Sequence, residues 1–463
     1  MANMQPNKTP IPEQDPILRG KNFQEVALGY TEELAKNEAA RCLNCKTRPC
    51  VKGCPVGVDI PEFINRINAD DMQGAYQILR EDNSLPAICG RVCPQESQCE
   101  KLCVRGIKGE PVGIGRLERY VADWAMAQDL KPQPPARERD KKVAIIGSGP
   151  AGLSCAGALR SKGYQVTVFE ALHTPGGVLM YGIPEFRLPK ALVAQEIGAL
   201  KEMGVAIETN VVVGKSITLD ELLTEEGYDA VFIGSGAGLP RFQGIPGEDL
   251  CGVYSANEFL TRINLMKAYD FPNHPTPVKV GRQVAVIGGG NVAMDAARCA
   301  LRMGAEKVFI VYRRSEQEMP ARVEEIHHAK EEGIVFRLLT NPTRILGDED
   351  GNVVAMECVQ MQLGEPDASG RRRPVVIPGS EFTLDVQTVV VAIGNSPNPL
   401  VTSTTPGLDA HKWGGIIVEE SSLKTSRDGV YAGGDAVTGA ATVILAMGAG
   451  KQAAESIHRL LRK

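Results

Sequence analysis

Eight of the twelve cysteines lie between residues 42 and 103, in two similar runs. The first is Cys42-x2-Cys45-x4-Cys50-x3-Cys54 and the second is Cys89-x3-Cys93-x5-Cys99-x3-Cys103. Pro55 follows the first run and Pro94 follows Cys93. Such short spacings bring thiolates from one or two turns of chain onto a small inorganic core, and cysteine-proline endings favour a pair of [4Fe–4S] clusters. Disulfides need an oxidising compartment, and the polar, proline-dotted opening from Met1 to Pro16 is no secretory signal. Structural zinc prefers C-x2-4-C knuckles separated by a longer loop, which the x4 and x5 gaps fit poorly. Cys155, Cys251, Cys299 and Cys358 stand alone and read as packing residues.

Two glycine-rich loops follow. Gly147-Ser-Gly149-Pro150-Ala151-Gly152 comes directly after the apolar run Lys142–Ile146. The next apolar run, Gln165–Phe169, ends in Glu170. Strand, glycine loop, helix, strand and terminal acid in this order form a dinucleotide site. The glycines admit the pyrophosphate, the helix N-terminus faces its charge, and the acid accepts ribose hydroxyls. Gly176-Gly177-Val178 resembles the segment that approaches FAD in two-dinucleotide reductases, and Asp428 to Ala436 resembles their second flavin motif. Gly434 and Asp435 end that motif, and Thr442 opens a helix whose N-terminus suits negative charge on a flavin.

The second loop, Gly288-Gly-Gly290-Asn291-Val292-Ala293, follows Gln283–Ile287. Its next strand, Lys307–Val311, ends in Tyr312-Arg313-Arg314 where an NAD site would carry an acid. Arginine pairs with a 2′-phosphate that an acid would repel, so NADP(H) is expected, with Arg322 as a further cation. Residues 178–184 hold no cysteine pair, which excludes disulfide exchange beside the flavin.

These sites need scaffolds. Residues 20–125 read as short amphipathic helices, over 31–42, 61–70 and 71–81 among others, with cysteines on the connections. A proline-rich, charged linker over 131–140 precedes alternating strands and helices. At 463 residues the chain has room for about three domains. The fold expected is an α-helical iron–sulfur domain followed by two α/β Rossmann-like dinucleotide-binding domains, the second inserted in the first. The expected bounds are 1–138 for the clusters, 139–278 and 395–463 for FAD, and 279–394 for NADP(H). A net charge of −5 argues against nucleic acid, and the absence of a long apolar run argues against a membrane span. A reduced, cytoplasmic setting is expected.

The two cysteine runs, both glycine loops and Tyr312-Arg-Arg-Ser315 through Met319-Pro-Ala-Arg322 resemble the small (β) subunit of NADPH-dependent glutamate synthase over essentially the whole chain. The chain is also similar to the large subunit of NADH-dependent ferredoxin:NADP oxidoreductase and to the N-terminal half of dihydropyrimidine dehydrogenase. The resemblance implies FAD, two [4Fe–4S] clusters, and a partner subunit carrying another flavin or a flavin/iron–sulfur centre. It implies one cluster on Cys42, Cys45, Cys50 and Cys103, and another on Cys54, Cys93, Cys99 and a Gln or Glu, here Glu118. Cysteine counting alone selects Cys89 for that last place. Arg187 resembles a residue between the flavin and the nearer cluster, with a salt bridge as the alternative. The implied route runs from NADPH through FAD and the clusters to a partner flavin where glutamate is made. The alternative is flavin-based bifurcation, coupling NADPH to ferredoxin and NAD.

Overall fold

The computed structural model describes residues 3–368 and 370–462. Its N-terminal third is a layer of short helices, four of which start at side-chain caps. Thr31 accepts a hydrogen bond from the Leu34 amide at the head of Glu32–Ala39, and Asp71 accepts one from Gly74 at the head of Met72–Asp82. Asp59 does the same for Ile60–Asn68. The first of these helices stops at Ala39, short of the expected Cys42, so Cys42 and Cys45 follow it in turns while Cys50 sits in the short helix Pro49–Lys52. Pro86–Val92 carries Cys89, and Ile114–Ala127 carries Glu118.

Two five-stranded sheets follow, both wholly parallel. The first runs Val430–Ala432, Ala230–Ile233, Lys142–Ile146, Gln165–Phe169, Val205–Glu208. The second runs Val253–Ser255, Thr388–Val391, Gln283–Ile287, Lys307–Tyr312, Val335–Leu338. The second sheet lies in sequence between the fourth and fifth strands of the first, so one unit is inserted in the other. The expected start of the insertion at 279 needs correction. Val253–Ser255 pairs with Thr388–Val391, so the inserted unit begins before residue 253. That strand was invisible because it is three residues long and carries no periodicity. A two-stranded antiparallel ladder, Leu239–Pro240 with Asn395–Ser396, joins the two crossings between units.

A four-stranded antiparallel sheet over 340–385 was not expected either. Its residues Ile345, Met356, Cys358 and Leu384 pack on Ile287, Phe309 and Val391, covering one face of the second parallel sheet. Helices cover the other face. The cysteine-bearing helices have no core of their own. Phe63, Ile64, Leu79 and Leu117 share one apolar cluster with Leu153, Leu200, Met447 and Ile457 of the first unit. Each such side chain, fully buried, contributes about 1.5–3 kcal/mol, so the helical layer is held to the flavin-type unit by the hydrophobic effect.

Candidate functional site

The first glycine loop is shaped by crowding on one side and space on the other. Gly147 has φ +96°, and a Cβ there would sit 2.7 Å from the Gly234 carbonyl oxygen. A Cβ on Gly152 would lie 1.9 Å from the Gly147 oxygen. A Cβ on Gly149 would meet nothing within 4 Å, so the loop is open where a pyrophosphate would lie. Pro150 and Ala151 begin the helix Pro150–Ser161 behind it. Glu170 is buried beside the loop. Its carboxylate accepts from the Ser148 amide at 3.0 Å, from the Ser148 hydroxyl, and from the Leu172 amide at 2.8 Å.

The later flavin-type segments arrive at the same place. Gly177, with φ +54°, brings its α-carbon so close that a Cβ would be 2.9 Å from the Gly149 Cα, and Val178 starts the turn Val178–Tyr181. Gly434, with φ +68°, lies against Ala151. Asp435 accepts from the Ala441 amide at 3.2 Å, and burial pushes its carboxyl up to about 6. Thr442 caps Val443–Leu461 through the Leu445 amide at 3.3 Å. That helix lies tight on Pro150–Ser161, since a Cβ on Gly450 would be 2.1 Å from the Ala151 oxygen.

The second loop repeats the design with other side chains. Gly290 precedes Asn291–Arg302, Ala293 is buried in its first turn, and Val292 is partly exposed. The Tyr312 ring lies under Gly289, where a Cβ would be 2.8 Å away, and its hydroxyl donates to the Glu318 carbonyl at 2.9 Å. Of the three expected phosphate cations, one makes no ion pair or side-chain hydrogen bond among the described residues. Arg313 is exposed at the end of the strand. Arg314 is buried, donating to the Arg372 carbonyl at 2.9 Å and to Asp367 at 2.7 Å, so the expectation for it is corrected. Arg322 is corrected as well. Its guanidinium reaches the cysteine-bearing domain, at the Arg91 carbonyl and Gln95, and pairs with Glu324 at 2.9 Å. Its backbone amide donates to the Asn291 side chain at 2.9 Å, which fixes the second loop against that contact.

Arg187 is another buried cation, and it takes the salt-bridge alternative. It pairs with Asp295 at 2.8 Å and Glu325 at 3.0 Å, both in the inserted unit. Burial disfavours its charge, but these two carboxylates hold the guanidinium well above its ordinary value. Its neighbour Phe186 is fully buried, with Arg302 3.9 Å and Arg298 4.6 Å from its ring centroid.

The cysteines fall into two sets by proximity. Burial, followed by the charges of Cys103 and Cys42, pushes the Cys50 thiol up to about 11, and Cys103 and Cys45 act on Cys42 in the same direction. Cys42, Cys45, Cys50 and Cys103 are all half-buried. Cys54, Cys93 and Cys99 instead line a cavity with Glu118 and Cys89, walled by Ile60, Phe63, Ile114 and Ile444. Burial raises the Cys99 thiol, with Glu118 and Cys54 adding to it. Cys93 and Cys99 are buried. Among the described residues no three of the eight sulfurs lie within 4.8 Å of one another. A tetrahedral zinc with sulfur at about 2.3 Å needs them about 3.8 Å apart. At Cys54, Cys93 and Cys99, cysteines that line one cavity without the zinc spacing suit a multi-atom core.

Both contenders for the last ligand are in the inner cavity. Burial pushes the Glu118 carboxyl up to about 8, and Asn83 donates to it at 2.7 Å. No cation among the described residues pairs with it. The Cys89 sulfur lies 3.5 Å from Met447 sulfur and 3.6 Å from the Asn83 side-chain oxygen. Asn83 and Met447 were not singled out from sequence, because no motif marks a residue that supports ligands from another element.

Known proteins match this arrangement in two pieces. Residues 19–130 match the family of dihydropyrimidine dehydrogenase domain II, 4Fe-4S cluster, and residues 141–453 match the pyridine nucleotide-disulphide oxidoreductase family. Fold and site thus define a flavin- and nicotinamide-type oxidoreductase unit with an N-terminal 4Fe-4S domain. The glutamate synthase [NADPH] small chain of Azospirillum brasilense is 37% identical over 464 residues, covering 99% of this chain and 94% of that one. The Escherichia coli (strain K12) small chain is 36% identical, covering 100% and 98%. The chain belongs to this glutamate synthase small-chain family. The NADP(+)-dependent formate dehydrogenase subunit beta of Moorella thermoacetica is 42% identical over 90% of this chain, which spans 60% of that subunit. The Mycobacterium tuberculosis FprA structure in complex with NADPH is alike in fold, with TM-score 0.58, 24% identity, and coverage of 70% of this chain and 85% of that one. No helix among the described residues is long and apolar enough to cross a membrane.

Proposed function

We propose that the chain takes electrons from NADPH and passes them, through FAD and two [4Fe–4S] clusters, to a separate protein subunit. The observation that carries this is the helix Val443–Leu461. Thr442 caps it at the flavin-type loop, and Ile444, two residues later, lines the inner cysteine cavity. A flavin supplies the change from hydride to single electrons, and the clusters supply single-electron storage. The first loop, Gly177 and Gly434 would hold the FAD, with Glu170 toward its ribose and Asp435 toward its ribityl chain. The second loop would hold NADPH, with Arg313 on the 2′-phosphate. Arg187 acts as a positioning residue that fixes the inserted unit.

Cys42, Cys45, Cys50 and Cys103 would hold the outer cluster. Cys54, Cys93, Cys99 and Glu118 would hold the inner one, with Glu118 preferred over Cys89 because it is buried without a cation. The near full-length match to glutamate synthase small chains supports a large subunit of that kind as partner, in the cytoplasm, where thiols stay reduced. Anaerobically purified protein is expected to hold about eight irons with matching sulfide, plus one FAD that NADPH bleaches. Stoichiometric zinc without sulfide, or a flavin untouched by NADPH, refutes the reading. Co-purification from the native source identifies the companion chain. Glu118→Ala is expected to alter the EPR spectrum of one cluster while Cys89→Ala retains both; the opposite result assigns Cys89.

A further inference from the structure

The outer cysteine set sits under a surface that the proposed route does not explain. Leu43, Leu102, Val104 and Ile107 are exposed around Cys42 and Cys103, Ile107 to 77%. Two chain segments build this face. Residues 43–53 contain Lys46, Arg48 and Lys52, and residues 101–109 contain Lys101, Arg105 and Lys108. Neither segment has a single Asp or Glu, in a protein whose net charge is −5. The segments meet where the turn Pro49–Lys52 lies against Glu100–Leu102.

Two of the six cations are committed elsewhere. Arg48 pairs with Asp59, and Arg105 donates to the Gln5 carbonyl. Lys46, Lys52, Lys101 and Lys108 are exposed, and among the described residues none of them forms an ion pair. Exposed apolar side chains interspersed along the chain with unpaired cations have the composition of an interaction site. The apolar side chains gain by leaving water, while the cations steer an oppositely charged partner and reject like charge. The burial gradient puts it at the exit of the route, because the outer cysteines are half-buried whereas Cys93 and Cys99 of the inner set are buried.

We propose that this face docks an electron-accepting protein whose own docking face is acidic around an apolar centre. The inference rests on the reading that Cys42, Cys45, Cys50 and Cys103 hold a cluster. Each encounter moves one electron to the partner's redox centre. NADPH supplies two electrons and leaves as NADP+ with release of a proton, so one NADPH serves two encounters.

The test uses the cluster-loaded chain, an acidic [2Fe–2S] ferredoxin as acceptor, and a tetrazolium dye that takes electrons directly from reduced flavin. Ferredoxin reduction is expected to fall about tenfold from low to physiological salt, as steering is screened. Lys101→Glu/Lys108→Glu is expected to slow it about ten- to a hundredfold at low salt and to flatten the salt dependence. Ile107→Ser, at an exposed position that is no proposed ligand, is expected to weaken ferredoxin saturation with iron, FAD and dye reduction unchanged. Ferredoxin reduction blind to salt and to both variants overturns the proposal, as does a wild type that reduces the dye but never ferredoxin. A dimer that Ile107→Ser dissociates also overturns it, by giving the face to a second copy. Failure of NADPH to bleach the flavin would be a different result, refuting the underlying reading before any docking is measured.

Discussion

The two parallel sheets share the order of four strands around the same kind of loop and differ in one edge strand, which comes last in the first sheet and first in the second, yet they end in opposite chemistry. In the first, Glu170 closes the second strand and accepts from the loop's own Ser148. In the second, Tyr312 stands there, its ring under Gly289, and Arg313 projects into solvent. The third loop position differs too. Gly152 has no room for a Cβ, while Ala293 is packed in the corresponding turn. The shared part, a helix N-terminus behind a glycine turn, suits a pyrophosphate in either unit. Which dinucleotide it receives is left to a few side chains at the strand end.

The sharpest way to break the comparison is Gly152→Ala against Ala293→Gly. The first is expected to abolish FAD binding, read as loss of extractable flavin, because the added carbon meets the Gly147 oxygen at 1.9 Å. The second should keep nucleotide binding and cost about 1 kcal/mol of helix propensity. Full flavin retention in Gly152→Ala would show that the two loops are interchangeable. Next in size is Arg187→Ala, which strands Asp295 in the interior and leaves Glu325 with Arg298 alone. It is expected to cost about 3–5 kcal/mol in denaturant melts, with a smaller loss if the pair is dispensable.

Arg313→Ala should weaken NADPH about ten- to a hundredfold, since charge-assisted hydrogen bonds contribute roughly 1.5–3 kcal/mol each. NADH, lacking the phosphate, should be nearly unaffected in stopped-flow flavin reduction, and equal loss of both would remove Arg313 from phosphate reading. The smallest effect is expected from Arg314→Ala. Its guanidinium already belongs to Asp367 and the Arg372 carbonyl, so the ratio of NADPH to NADH reactivity should not change.

What was legible in the sequence follows from distance along the chain. Strands Lys142–Ile146, Gln165–Phe169 and Gln283–Ile287 are mainly apolar runs closed by glycine or acid, and they form as read. The cysteine sets and both loops are local patterns of the same kind. The fates of Arg314 and Arg322 were not legible, because their partners stand more than fifty and more than two hundred residues away, at Asp367 and at Gln95. The antiparallel sheet over 340–385 was missed for another reason. Val353–Pro366 is partly buried on both faces, which blurs the alternation that marks a strand.

The ladder of Leu239–Pro240 with Asn395–Ser396 has a mechanical meaning. Where the chain crosses between the two units it does so on two strands of two residues each, a neck too slight to set an angle by itself. The angle is set by side chains, with Arg187 reaching across to Asp295 and Glu325, and Arg19 of the N-terminal segment held by Glu331 and Glu332. Such contacts are made or unmade whole. A swing of the inserted unit would have to break these buried pairs outright, like a latch leaving its catch.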